Sequence, residues 1–249
     1  MKLRYVKQFA LLVGIIPMIL WANPADDLKS AAEAGDVAFV LVTDPNVFDI
    51  DQARGIIGAA MGQIKKSVMI ELDRSDPSNS DLVMKYRLAA APVPLVLVFA
   101  SNGALAGGKI AAQTTPEQLV SMVPTPKKSQ VIQAIQSGKL VFITATRKSM
   151  ASGSKVIGAC AAACQQMKGN SVSIQVDMDD NNEVRFMNEL KINRQSNKPV
   201  TVVINAKGQV TGTLEEALNA GNLVQAATQV ASSGCCPAGS GKTCGPVRK

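Results

Sequence analysis

Apolar positions in this chain fall into short runs separated by polar, glycine-marked breaks, and the runs recur at a nearly constant spacing. Residues 37–43 are a continuous apolar stretch ending in Thr43, preceded by an amphipathic stretch from Leu28 that Gly35 stops. Residues 140–146 repeat this pattern behind Val131 and Gly138. At an offset of 103, Ala31 meets Ala134, Gly35 meets Gly138, Phe39 meets Phe142 and Thr43 meets Thr146. Each copy predicts a short helix, a glycine stop and a buried strand. Residues 68–73 and 172–177 alternate apolar and polar positions before Asp73 and Asp177, at offset 104, which predicts another strand. Pro94 leads a β-rich run closed by Gly103, and Pro199 leads its counterpart closed by Gly208, at offset 105. Leu119 and Val120 then match Leu223 and Val224 at offset 104. Single-residue insertions and one deletion explain the drift, so the pattern predicts a duplication.

The element order in each copy is helix, strand, helix, strand, helix, strand, strand, helix. That order predicts an α/β fold with helices covering a sheet. Strands 37–43 and 68–73 flank a helix and should be parallel, joined by a right-handed crossover. Gly103 should close a hairpin between 94–99 and 104–107. Pro124, Pro126, Lys127 and Lys128 mark a stiff polar linker over 124–130. The copies would then occupy 25–123 and 131–232.

This arrangement resembles the thioredoxin-like family, and the resemblance covers most of 25–232. In that family a cis proline precedes the third sheet strand and a glycine turn follows it. Pro94 before 95–99 with Gly103, and Pro199 before 200–204 with Gly208, look like that element in two copies. The resemblance implies two tandem thioredoxin-like domains, each a central mixed sheet flanked by helices, with Pro94 and Pro199 as structural cis prolines. Redox members of the family carry Cys-x-x-Cys after the first strand, where a helix N-terminus favours thiolate. Here the corresponding stretches, from Asp44 to Phe48 and from Arg147 to Met150, contain no cysteine. The family's redox residues therefore have no counterpart.

Composition adds a compartment and several exclusions. Lys2, Arg4 and Lys7 precede an uncharged apolar run over 9–20, followed by Ala22 and then Asp26 and Asp27. This is the layout of a secretory signal peptide, expected over 1–22, with cleavage after Ala22 or Ala25. The run is shorter than the roughly 20 residues a spanning helix needs. An exported protein, periplasmic or secreted and not integral to a membrane, is expected. The formal charge is +7; three of the 26 basic residues are in the leader, so the remaining 23 stand against 19 acidic ones. No basic cluster with stacking aromatics is present, so nucleic acid is not an expected partner. The chain has no histidine, which removes imidazole general acid–base chemistry and imidazole metal ligation.

Five cysteines remain. Cys160 and Cys164 share one face of a helix expected over 156–167. They align with Ile57 and Met61, and Met167 aligns with Ile64, an apolar stripe. They read either as small core residues or, with Met167, as a redox pair or a soft-metal site suited to Cu(I). Cys235, Cys236 and Cys244 lie in a Gly-, Ser- and Pro-rich tail expected over 233–249. That tail reads as one disulfide with a spare thiol, or as a centre for thiol exchange or soft-metal capture. Asp177, Asp179 and Asn181 look like the start of a calcium loop, but the sixth position is Asn182 and the twelfth Asn188, so a strand-end turn is expected. Together these observations imply a non-catalytic binding or scaffold module whose partner is another exported protein. The alternative is thiol–disulfide exchange or Cu(I) binding by the tail, with Cys160 and Cys164. An enzyme of this kind would be a thiol–disulfide oxidoreductase.

Overall fold

The structure, a computed structural model, describes residues 23–229. The leader expected over 1–22 and the tail expected over 233–249 lie outside them. The first copy runs α1 (Pro24–Ala34), β1 (Val37–Thr43), α2 (Ile50–Met61), β2 (Ser67–Asp73), α3 (Ser80–Lys85), β3 (Leu95–Phe99), β4 (Leu105–Ile110) and α4 (Pro116–Met122). The second runs α5 (Pro126–Gln136), β5 (Leu140–Thr146), α6 (Gly153–Gln166), β6 (Ser171–Asp177), α7 (Val184–Glu189), β7 (Val200–Ile204), β8 (Val210–Glu215) and α8 (Ala220–Thr228).

Each copy forms a four-stranded mixed sheet, in the orders β2-β1-β3-β4 and β6-β5-β7-β8. β1 and β2 are parallel, whereas β3 pairs antiparallel with both β1 and β4. The second sheet repeats these directions. Both hairpins carry a register shift at the same place, between Val98 and Phe99 and between Val203 and Ile204. Each copy is thus a mixed sheet covered by helices, as the resemblance implied.

Two-sided burial explains why β1 and β5 are apolar throughout. Ala38, Val40 and Val42 face a cluster with Ala31 of α1 and Leu82 of α3. Phe39 and Leu41 face the opposite cluster with Ala53 and Ile57 of α2 and Leu119 of α4. In β5, Val141, Ile143 and Ala145 meet α5 and α7, while Leu140 and Phe142 meet α6 and α8. The continuous apolar run is the signature of a strand covered on both faces.

Two expectations shift. The linker over 124–130 narrows, because Thr125 accepts a hydrogen bond from Lys128 N and Pro126 opens α5. Proline suits a helix's first turn, where no intrahelical N–H bond is lost. The strand after Gly103 extends to Ile110, since Gly107 and Gly108 leave no side-chain alternation to read. The two copies also touch. The Gln136 amide accepts from Leu105 N at 3.3 Å and donates to Leu105 O at 2.8 Å, matching the main chain of β4. Arg185 of α7 donates to Ser121 O at 3.1 Å and also to Val123 O, placing a cation at the carbonyl end of α4.

Phe142 is fully buried at the centre of the second sheet. Truncation of such a ring typically costs about 3–5 kcal/mol. Phe142→Ala is expected to lower the urea midpoint of unfolding by a corresponding amount, measured by circular dichroism.

Candidate functional site

The segments after β1 and β5 are where the family resemblance would place thiols, and both hold an ion-pair clasp instead. In the first copy Arg74, just beyond β2, donates from Nη2 to Asp44 Oδ2 at 2.7 Å. Its Nη1 reaches Ala91 O at 2.5 Å and Leu88 O at 3.3 Å. One guanidinium therefore ties together the loop after β1, the end of β2 and the loop before β3. In the second copy Arg147, just beyond β5, contacts Asp179 Oδ1 at 3.4 Å and donates to Arg194 O. Arg194 in turn donates to Met178 O at 2.9 Å. The same three loops are tied, with the charges exchanged between them.

Both copies end their second strand in the same way. Asp73 Oδ1 accepts from Ser75 N, and Asp177 Oδ1 accepts from Asp179 N. Asp76 then caps a short 3-10 turn through Ser78 N, as Asp180 does through Asn182 N. The calcium-like stretch from Asp177 is thus a strand-end turn. Three residues further, Asn79 and Glu183 occupy equivalent buried positions, 5 % and 1 % exposed. Glu183 Oε1 accepts from Lys127 N at 2.9 Å. In the first copy the position of Lys127 is held by Pro24, which has no N–H. Asn79 donates from Nδ2 to Asp73 O, and its Oδ1 has no hydrogen-bond partner among the described residues.

These loops wall a cleft in each copy. The first cleft, of about 760 Å³, is lined by Asp44, Glu71, Asp73 and Asp76 against Arg54, with Pro24, Ile50 and Asn79. The second, of about 500 Å³, has Asp177 and Asp180 against Lys127, Arg147 and Lys148. Four carboxylates and one cation thus stand against two carboxylates and three cations.

The cysteines lie away from both clasps. Cys160 is fully buried in α6, 3.1 Å from Thr144 Oγ1 and 3.8 Å from Thr201 Oγ1. The equivalent first-copy residues are Leu41, Ile57 and Val96, all apolar. Burial pushes the Cys160 thiol up, against a smaller opposing effect of the hydrogen bonds to Thr144 and Thr201, so the neutral thiol is favoured. Cys164 is half-buried and packs with Met167 on the same cluster. Both thiols are free. Among the described residues no group of three or more His, Cys, Asp or Glu side chains could hold a metal ion. Cys235, Cys236 and Cys244 lie outside the described residues. The Val93–Pro94 bond is cis, whereas Lys198–Pro199 is trans; the trans form is the ordinary preference of an X–Pro bond. Pro199 therefore departs from the expected pair.

Sequence reading passed over Arg74, Asp44, Asn79 and Glu183. Their signal was present in the alignment of the copies, as Asp44 against Arg147 and Asn79 against Glu183.

No protein-family model matches the chain, and the search of curated proteins found no match. Among solved structures, zinc-bound human ERp44 matches at 13% identity and TM-score 0.32, over 79% of this chain and 56% of that one. The first two thioredoxin domains of Saccharomyces cerevisiae Eps1p match at 9% identity and TM-score 0.31, over 84% of this chain and 97% of that one. The NTD_N/C domain of the alkylhydroperoxide reductase AhpF from Enterococcus faecalis matches at 10% identity and TM-score 0.25, over 82% and 99%. The chain spans little more than half the length of the ERp44 chain.

Two predictions follow from the clasp and the buried thiol. The hydrogen bond from Arg74 holds the Asp44 carboxyl below its ordinary value, helped by Asn46 N. A depressed folded value adds stability above the unfolded value of about 4, and this is lost as pH falls through the folded value. Asp44→Asn should therefore be less stable than the parent at neutral pH. It should also lose less stability on acidification from about pH 4 downward, read from urea midpoints across pH. For the thiol, a chromogenic disulfide reagent at neutral pH should leave Cys160 unlabelled in the folded protein and label it fully in denaturant, as read by peptide mass spectrometry.

Proposed function

We propose that this protein is an exported, non-catalytic pair of thioredoxin-like units that works as a binding or scaffold module. The observation that carries this reading is the occupation of both post-strand loops by ion-pair clasps. An oxidoreductase of this fold needs a thiolate at that position, exposed at a helix start. Asp44 and Arg147 stand there instead, each committed to holding neighbouring loops. The two described cysteines do not supply a substitute, since Cys160 is sealed within α6 and Cys164 packs against apolar neighbours. Export is supported by the basic start, the short apolar run and Ala22. Another exported protein is the natural partner class in that compartment.

The competing reading, thiol exchange or Cu(I) capture, rests on Cys235, Cys236 and Cys244. An insulin-disulfide reduction assay separates the two. The full chain should reduce insulin no faster than the buffer thiol alone. A rate comparable to an ordinary thioredoxin would overturn the binding-module reading, and its loss in a chain ended at Ser233 would assign the activity to the tail. N-terminal sequencing of protein from its native compartment should begin at Asn23 or Asp26; retention of Met1 would remove the export assignment.

A further inference from the structure

The duplication supplies an internal comparison for each cleft. In the second copy, Asp177 and Asp180 share their cleft with Lys127, Arg147 and Lys148. At the equivalent first-copy positions stand Pro24, Asp44 and Pro45, and Glu71 replaces Gln175. Every cation built into the second cleft is absent from the first, and two carboxylates have been added. Arg74 pairs with Asp44, and Arg54 pairs with Glu71. Among the described residues neither Asp73 nor Asp76 is paired with a cation.

Asn79 makes an independent, second observation. Its counterpart Glu183 receives the Lys127 N–H on Oε1, while Oε2 has no partner among the described residues. Pro24 removes that donor, so Asn79 Oδ1 is left without one in a residue that lines the cleft and is 5 % exposed. A buried acceptor without a donor is costly unless something supplies the hydrogen bond. The missing group is a hydrogen-bond donor, and the carboxylates around it favour a donor that carries positive charge. A bare metal ion fits poorly, because no three carboxylates among the described residues converge as metal ligands do. Two walls of the cleft are apolar, Pro24 and Ile50, and Phe48 stands 85% exposed in the same loop. Those surfaces suit the aliphatic stem of a long cationic side chain and the chain that carries it.

We infer that the first-copy cleft docks a lysine or arginine side chain of a basic polypeptide segment, its charged head between Asp73, Asp76 and Asn79. This rests on the binding-module reading and names the partner chemistry of one of its two units.

The test uses the full chain and two labelled, end-blocked peptides, one of alternating serine and lysine and one of alternating serine and glutamine. Fluorescence anisotropy should show binding of the lysine peptide that weakens with added salt, and no binding of the glutamine peptide. Asp73→Asn with Asp76→Asn leaves an oxygen acceptor for the Ser75 and Ser78 N–H groups and should weaken peptide binding about tenfold. Asp177→Asn with Asp180→Asn, in the second cleft, should leave binding unchanged. In the parent protein the Asn79 side-chain amide resonances should shift on peptide addition, a readout that does not depend on any variant folding. The inference is overturned by unmoved Asn79 resonances, equal binding of the glutamine peptide, or equal loss from both double variants. It is also overturned if butylamine binds as tightly as the peptide, or if calcium ions displace the peptide at micromolar concentration. Any of these results with no insulin reduction defeats this inference alone; insulin reduction defeats the binding-module reading itself.

Discussion

Each copy is built around one strand that must be buried on both faces. β1 and β5 sit inside their sheets, with helices above and below, and nearly every side chain they carry is out of water. A strand in that position cannot alternate apolar with polar residues. It also cannot be displaced, because a slip of one residue would exchange its two packed faces. The other elements take their places from it: β2 and β6 pair parallel on one side, β3 and β7 antiparallel on the other. The pairs α1 with α3 and α2 with α4 seal the two faces.

The loops leaving these strands are consequently held in a fixed place at one edge of each domain, and the two copies use that place differently. Both tie three loops with a guanidinium, yet the arginine comes from beyond β2 in one copy and from beyond β5 in the other. The fold tolerates the exchange because what the loops require is a bridging donor that reaches carbonyls and a carboxylate. Which loop supplies it does not matter to the sheet. The exchange does matter to the surface, since it leaves one cleft rich in carboxylates and the other rich in cations.

The second copy departs from the first in its core as well. Thr144, Cys160 and Thr201 form a buried polar trio where Leu41, Ile57 and Val96 pack in the first copy. Their mutual hydrogen bonds offset the cost of burying polar atoms. The trio explains how a cysteine in the middle of α6 is accommodated within a packed core.

The duplication, the order of elements, the buried strands and the placing of Cys160 and Cys164 on one helix face were all legible in the sequence. They depend on local periodicity, and a helix face or a buried strand prints its period directly on the chain. Pro199, the bounds of α5 and the reach of β4 were less legible, because an isomer state, a cap or a pair of glycines leaves little pattern. The clasps and the unsatisfied Asn79 belonged to the tertiary structure. Asp44 meets Arg74 across 30 positions, and the donor missing from Asn79 is a property of Pro24, far away in the chain. Contacts between loop residues follow from where the sheet delivers those loops, and no run of neighbouring residues encodes that meeting.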